Sequence, residues 1–415
     1  MAGAMTEERP DRLRVLFLAS YFPKPDNPLM GPWALRQAQA LVRAGVDVQV
    51  ISLTSWVPRV AAVTRGARAF ALCPPRHRWG SVEAVYPRWL LYQVQPLKRW
   101  AHARPQRQLQ LGWVSSRRAL LAAVDEGRPD LLYCHHTLPN GYLAARLREE
   151  RGLPFVVTDH DFDEVDDCAR LPARRAAYRF VLGRAARVVG VSSRMVTSLE
   201  ALFPSARALT IHNGVDPPPA VAPPRPEDRS GRLVVFSCGL FYERKGFELL
   251  IAAFGRVAAE RPNAVLRIVG DGPRRAEIEG SIRRLGLECR VTLLGRRPHD
   301  EVLREMAWSD VFALVGWDEP FATVYLEAMA AGRPVVCASD GGITDVLVDG
   351  VHGLTVPPRD IEATARALSR LLADGALRAR LGAAARGLVD RRLTWDQVAR
   401  RYAELFREVV AGGGG

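Results

Sequence analysis

Apolar residues fall along this chain in short, nearly continuous runs that alternate with longer stretches of helical spacing. RVLFLAS (14–20) leads through a loop to the helix ALRQAQALVRAG (34–45) and the strand VDVQVIS (46–52). DLLYCHH (130–136), a helix from Tyr142, PFVVTDH (154–160), the helix RAAYRFVLGRAA (175–186) and the strand RVVGVS (187–192) repeat the rhythm. Strand and helix in strict alternation predict a doubly wound parallel sheet. A proline-rich stretch, DPPPAVAPPRPEDRSG (216–231), interrupts the pattern and reads as a linker. The rhythm restarts with RLVVFSCG (232–239), the helix FELLIAAFGRVAAE (247–260), AVLRIVGDG (264–272), VTLLG (291–295), a helix from Asp300 and DVFALVG (310–316). A last helix runs from about Trp395 to Val410. The expected organisation is a first domain at 1–218, a linker at 219–231, a second domain at 232–394, and a returning helix with tail at 395–415. The expected fold class is α/β, with two Rossmann-like domains facing a cleft and ligands beyond the carboxyl ends of the strands.

The richest segment is DEPFATVYLEAMAAGRPVV (318–336), which sets Glu319 and Glu327 eight positions apart. Pro320 suits a first helical turn, the apolar run to Ala331 continues it, and Gly332 with Pro334 stops it. Glu319 is then expected at the helix mouth and Glu327 about two turns deeper. Free N–H groups and the positive dipole end favour a phosphate there, and carboxylates on either side accept hydroxyls. That combination describes a sugar nucleotide. The spacing alone also fits a buried amphipathic helix with two capping or solvated glutamates. The continuation, CASDGGITDVLVDGVHGLTVPP (337–358), reads as a short strand, a Gly-Gly turn, a short helix and a glycine-rich return.

This block resembles the donor-binding segment of the family-4 retaining glycosyltransferases, which have the GT-B fold, and the likeness continues more weakly along almost the whole chain. The resemblance implies that Glu319 holds donor-sugar hydroxyls and Glu327 the ribose hydroxyls. It implies backbone N–H contacts to phosphate and sugar from Phe321 and Ala322, with Thr323 completing the donor-binding stretch. The family prefers glycine where Pro320 and Ala322 stand.

Other motifs fall in with it. TDHDFD (158–163) matches the family's Thr-x-His-Gly-x-Asp pattern, with Asp161 in place of the glycine, and implies His160 beside the donor sugar. His135 and His136 occupy a similar strand end. The loop YFPKPDNPLMGPWALRQ (21–37) carries Gly31 where the family has a glycine loop near the diphosphate and acceptor. In GLFYERKGFELL (239–250), Lys245 matches the phosphate-binding lysine; Leu240 replaces the usual arginine, and Arg244 is a candidate second cation. VGDGPRR (269–275) lacks the third glycine of a dinucleotide fingerprint. In the family it is a tight turn beside the donor, which implicates Gly270 and Gly272. GRR (295–297) places Arg296 near the base. HNGVD (212–216) is sufficiently explained as a turn.

Composition narrows the picture. A chain of 415 residues with 48% hydrophobic content suits two globular domains. Six scattered cysteines indicate neither a zinc site nor a disulfide framework, and a reducing cytoplasm is the simplest setting. No secretory leader or membrane-spanning run is expected. The net charge is +13, and only three of the 58 basic residues, Lys24, Lys98 and Lys245, are lysines. That excess implies attraction to an anionic surface. Between 76 and 118 stand nine basic residues, one acid (Glu83) and the tryptophans Trp79, Trp89, Trp100 and Trp113. Arginine with tryptophan suits a membrane interface or a single-stranded nucleic acid, and equally a helix packing its tryptophans inward. The resemblance favours an acceptor side docked on the inner membrane, with Trp89, Trp100 and Arg99 as candidate contacts. No nucleic-acid recognition motif accompanies the charge.

The expected function is transfer of a hexose-type sugar from a UDP or GDP sugar to a lipid-linked or membrane-proximal glycan acceptor, in polysaccharide or glycolipid synthesis. Metal and cofactor are not expected. Transfer to a soluble secondary metabolite and a non-catalytic sugar-nucleotide-binding scaffold are the alternatives. A pyridoxal-dependent phosphorylase fits poorly with three lysines.

Overall fold

The computed structural model describes residues 12–28, 30–90, 102, 104–218, 224, 226 and 231–412. The chain forms two compact units, one from Met1–Gly190, Val196–Ile211 and Ala399–Gly415, the other from Val191–Met195 and His212–Val398.

The first unit contains β1 (Arg14–Leu18), β2 (Asp47–Ile51), β3 (Thr54–Ser55), β4 (Arg76–Trp79), β5 (Val82–Val85), β6 (Arg88–Trp89), β7 (Leu131–His135), β8 (Phe155–Asp159), β9 (Arg187–Gly190) and β10 (Ala208–Thr210). Eight of them make one sheet in the order β10-β9-β8-β7-β1-β2-β5-β4, and β3 pairs with β6 separately. All neighbours in the large sheet are parallel except β4 against β5. β7 and β8 are buried at every position because helices cover both faces, which is why their sequences read as continuous apolar runs. The strand order reverses between β1 and β7, so the loops leaving those strands diverge and open a crevice at their carboxyl ends.

The second unit contains β11 (Leu233–Leu240), β12 (Ala264–Asp271), β13 (Val291–Gly295), β14 (Val311–Leu314), β15 (Val335–Ala338) and β16 (Gly353–Val356). They form a fully parallel sheet in the order β13-β12-β11-β14-β15-β16, the 3-2-1-4-5-6 arrangement of a Rossmann domain. The helix Phe247–Glu260 buries Phe247, Leu250, Ile251, Phe254 and Val257, a stripe at helical spacing, against this sheet. The switch point lies between β11 and β14.

The last helix, Trp395–Gly412, packs its larger part on the first unit, as expected. Tyr402 Oη lies 3.1 Å from Thr158 Oγ1, and the Tyr402 and Phe406 rings lie 5.3 and 5.0 Å from that of Tyr133. The turn of HNGVD packs within the second unit, where Val215 N–H donates to Leu393 O over 2.9 Å. No helix among the described residues is long and apolar enough to cross a membrane.

Two expectations change. The helix read as starting at Pro320 starts at Thr323 and ends at Ala330, with Ala322 as its N-cap. The preceding residues are held elsewhere: Gly342 N–H donates to Glu319 O over 2.8 Å, tying that backbone to the Gly-Gly turn. Trp89, taken as a membrane or acceptor contact, is only 3% exposed, and Trp113 is 6% exposed. The Trp89 indole lies over Gly112, where a Cβ would come within 3.2 Å of the ring, so this tryptophan is part of the core. Trp100 and Arg99 lie outside the described residues, as does most of the 219–231 linker.

Candidate functional site

At the switch point of the second unit, the loops after β11 and β14 bring the main candidates together. Lys245 Nζ donates to Glu319 Oε2 over 2.7 Å, with Glu319 only 2% exposed. The other carboxylate oxygen, Glu319 Oε1, is buried and has no hydrogen-bond partner. Such an atom costs free energy unless a donor reaches it, which marks it as an acceptor for a bound hydroxyl. Gly246 adopts φ +70°, and a Cβ on it would come 2.7 Å from Val315 O, so only glycine lets the Lys245 loop press against the Glu319 loop.

Asp318, just before Glu319, has φ +53°, a strained conformation for a residue with a side chain. Arg244 Nη1 donates to Asp318 O over 3.2 Å, and Arg194 pairs with the Asp318 carboxylate. The anticipated second cation therefore stands beside Lys245, but braces the Glu319 loop. The helix Thr323–Ala330 has no side-chain cap, which leaves its first N–H groups without the usual capping oxygen. Phe321 stacks on His212 at 4.9 Å and 26°. Glu327 Oε1 lies 2.9 Å from His299 Nε2, with 15% of the Glu327 side chain exposed. Gly270 and Gly272 pack beneath Phe241, where a Cβ on Gly272 would sit 2.8 Å from Phe241 N. Arg296 is 75% exposed and reaches Asp271 at 3.6 Å. His299, Arg194 and Asp318 were missed in the sequence, since each acts through a partner far along the chain.

A second cluster forms at the switch point of the first unit. Gly31 takes φ +65° and lies so close to the Tyr21 carbonyl that a Cβ would overlap it. That geometry folds the loop after β1 back over the sheet edge. His160 sits among histidines, its ring 4.4 Å from His135 and 5.3 Å from His136, and its Nε2 is buried without a partner. Burial drives all three imidazoles below their usual range, so they are neutral at pH 7. Asp159 accepts from Thr137 N–H at 2.7 Å and from Thr137 Oγ1 at 2.8 Å, and Glu164 accepts from Tyr178 Oη at 2.8 Å. Burial pushes Asp159 up to about 6 and Glu164 up to about 7. His136, Asp159 and Glu164 have ligand atoms within 4.8 Å of one another, as a metal site would need. Each Asp159 oxygen also accepts a hydrogen bond from Thr137. Glu164 and Tyr21 were not anticipated; the density of acids in DHDFDEVDD (159–167) was the available signal.

Two parallel-sheet units, each with a polar cluster at the switch point of its strands, define an α/β protein built to hold a ligand beyond its strand ends. The family profiles give the class a name: Glycosyl transferases group 1 matches residues 223–388 and Glycosyltransferase Family 4 matches residues 30–218. The chain belongs to these glycosyltransferases. A 2-deoxystreptamine N-acetyl-D-glucosaminyltransferase of Streptomyces fradiae is 32% identical over 313 residues, covering 69% of this chain and 73% of the relative. Sucrose-phosphate synthase from Thermosynechococcus elongatus superposes with TM-score 0.75 at 22% identity, covering 97% of this chain and all of that one. HepE of Anabaena, in complex with UDP and glucose, gives TM-score 0.69 at 20% identity over 96% of this chain and all of its own. These likenesses establish the GT-B fold.

Proposed function

We propose that this glycosyltransferase is a retaining, metal-independent enzyme that moves a hexose from a nucleoside diphosphate sugar bound by its second unit. The observation that carries the reading is the Lys245–Glu319 pair at the switch point, with Glu319 Oε1 left open. A lysine ammonium has three donors; Glu319 uses one, and two remain for oxygens of the departing diphosphate. Arg244 and the N–H groups of Phe321, Ala322 and Thr323 add positive potential where charge develops. Glu319 Oε1 accepts a hydroxyl of the donor sugar, and Glu327 accepts the ribose hydroxyls. As the anomeric C–O bond to diphosphate breaks, the acceptor oxygen bonds to the same face of that carbon, and its proton passes to a leaving phosphate oxygen. In the first unit, His160 is a neutral hydrogen-bonding group and Gly31 lets the backbone after β1 come close to a ligand.

For the acceptor, the reading carried forward is a small soluble polyhydroxylated molecule bound by the first unit. The core positions of Trp89 and Trp113 remove their support for a membrane-docked acceptor. The Streptomyces relative, whose named activity is on 2-deoxystreptamine, supports a soluble cyclitol. The net charge of +13 favours a lipid-linked acceptor, as does a relative in Mycolicibacterium smegmatis named as a phosphatidylinositol monomannoside mannosyltransferase.

A thermal-shift panel of UDP, GDP and dTDP sugars in EDTA tests the donor reading, since a ligand of the folded state raises the melting temperature with its affinity. One responding nucleotide, followed by retention of anomeric configuration in its product, supports it. Response only after magnesium is restored, or inversion, overturns metal independence or retention respectively.

A further inference from the structure

We propose that the acid-rich cluster beyond β7 and β8 of the first unit is an acceptor subsite for an ammonium group, formed by Glu164, Asp161, His136 and Tyr21. It rests on the soluble-acceptor reading and adds to it a charge and a binding place.

Six of the nine residues in 159–167 are acidic, in a chain whose net charge is +13. Anionic donor phosphates are repelled from such a place, whereas a cation is drawn to it. Acidic density alone makes no site. The second observation is His136, which is 6% exposed and whose Nδ1 has no hydrogen-bond partner while facing Glu164 Oε1 at 3.9 Å. That separation is too long for a direct hydrogen bond. Tyr178 holds the other Glu164 oxygen, which turns Oε1 toward the imidazole. Burial keeps the imidazole neutral, and the ring nitrogen facing the carboxylate is a fitting acceptor when its proton is on Nε2. Two acceptors facing each other across a gap call for a group with several donors and no acceptor. An ammonium is that group; a hydroxyl brings a single proton.

Tyr21 supplies the remaining wall. The residue is 51% exposed, its ring lies 5.5 Å from that of His136, and its hydroxyl feels the charges of both Glu164 and Asp161. An aromatic face beside carboxylates attracts an alkylammonium through its ring as well as through charge. Asp161 is exposed at the N-cap of the helix Phe162–Arg170, where it contributes charge at the rim. Arg174, which also acts on Glu164, has its Nε 3.8 Å from Asp167. Burial raises Asp159 and Glu164, so both carboxyls are costly to ionise with the site empty, and a bound cation offsets that cost.

The test is isothermal titration of the full chain, in EDTA and with saturating nucleoside diphosphate, using 2-deoxystreptamine as a diamine probe and myo-inositol as a cyclitol without amines. The diamine is expected to bind at least about tenfold more tightly than the inositol. Glu164→Gln and Asp161→Asn are each expected to weaken the diamine by about threefold or more, with nucleotide affinity unchanged. Asp161→Asn, at an exposed position, keeps the test valid if Glu164→Gln folds poorly. Equal affinity for the two cyclitols, or diamine affinity unaltered in both variants, overturns the subsite. So does a manganese titration without EDTA that saturates the wild type, fails in Glu164→Gln, and occurs without any response to the diamine. Nucleotide binding with no diamine binding sinks the subsite alone, whereas loss of nucleotide binding sinks the donor reading as well.

Discussion

Lys245 and Glu319 stand 74 positions apart in the chain, yet Lys245 Nζ lies 2.7 Å from Glu319 Oε2, at the point where the strand order of the second sheet reverses. Only 3% of the Glu319 side chain and 18% of the Lys245 side chain reach solvent, so neither charge is at ease without the other. The pair therefore serves stability and the proposed chemistry at once.

Removing one partner separates these roles. Lys245→Met leaves a buried carboxylate uncompensated and should cost about 3 kcal/mol, read by urea denaturation. Adding Glu319→Gln should recover a good part of that loss, while transfer activity stays abolished in either background. Additive losses in the double variant would mean that the two charges do not stabilise each other.

His299 holds Glu327 at 2.9 Å. His299→Ala should raise KM for the donor nucleotide by roughly tenfold and leave kcat within about twofold, as expected when a ground-state contact loosens. His299→Gln should restore most of the affinity. A collapse of kcat with KM unchanged would point to a different role.

Trp89 gives a test that divides core from surface. With the indole buried against the helix Pro105–Gly127, Trp89→Ala should destabilise by about 3–5 kcal/mol. Co-sedimentation of the folded variant with anionic vesicles should match the wild type. A variant of unchanged stability that loses vesicle binding would return this residue to a membrane role.

The first unit should show a pH signature. Burial raises Asp159 to about 6 and Glu164 to about 7, so between about pH 4 and 7 the folded chain holds protons that the unfolded chain has released. Stability from these groups is present at low pH and falls as pH rises through that window. The buried His136 and His160 act oppositely, because their lowered values make the unfolded chain take up protons as pH falls below about 6.5. Glu164→Gln removes one member of the first set. Relative to wild type it should gain about 1–3 kcal/mol between pH 5 and pH 8, followed by thermal unfolding at both values. An identical gap at the two pH values would refute the raised carboxyl.

How the site was read from the sequence follows from how local each signal is. Glu319 and Glu327 sit in one segment whose apolar run and stop signals are legible in order, and Lys245 follows a strand with an adjacent glycine. The start of the helix was misplaced by three residues because Pro320 satisfies the local rule for a first turn. What overrode it was a hydrogen bond from Gly342 to the Glu319 carbonyl, a contact invisible to any local rule. Trp89 was misassigned for a related reason: arginine and tryptophan in one stretch describe a composition, and only packing says which way each ring faces.

By itself the sequence determined the two α/β halves, because strands covered on both faces must be apolar throughout and their helices must carry an apolar stripe. It offered Glu319, Glu327 and Lys245 as candidates, through a resemblance carried by short-range motifs. The tertiary structure decided which side chains share a neighbourhood: Lys245 with Glu319, His299 with Glu327, and Tyr21 with His136 and Glu164. Those partnerships depend on the order in which strands lie side by side, which brings distant loops to one edge of a sheet. Strand order is a long-range property, and no spacing along the chain encodes it.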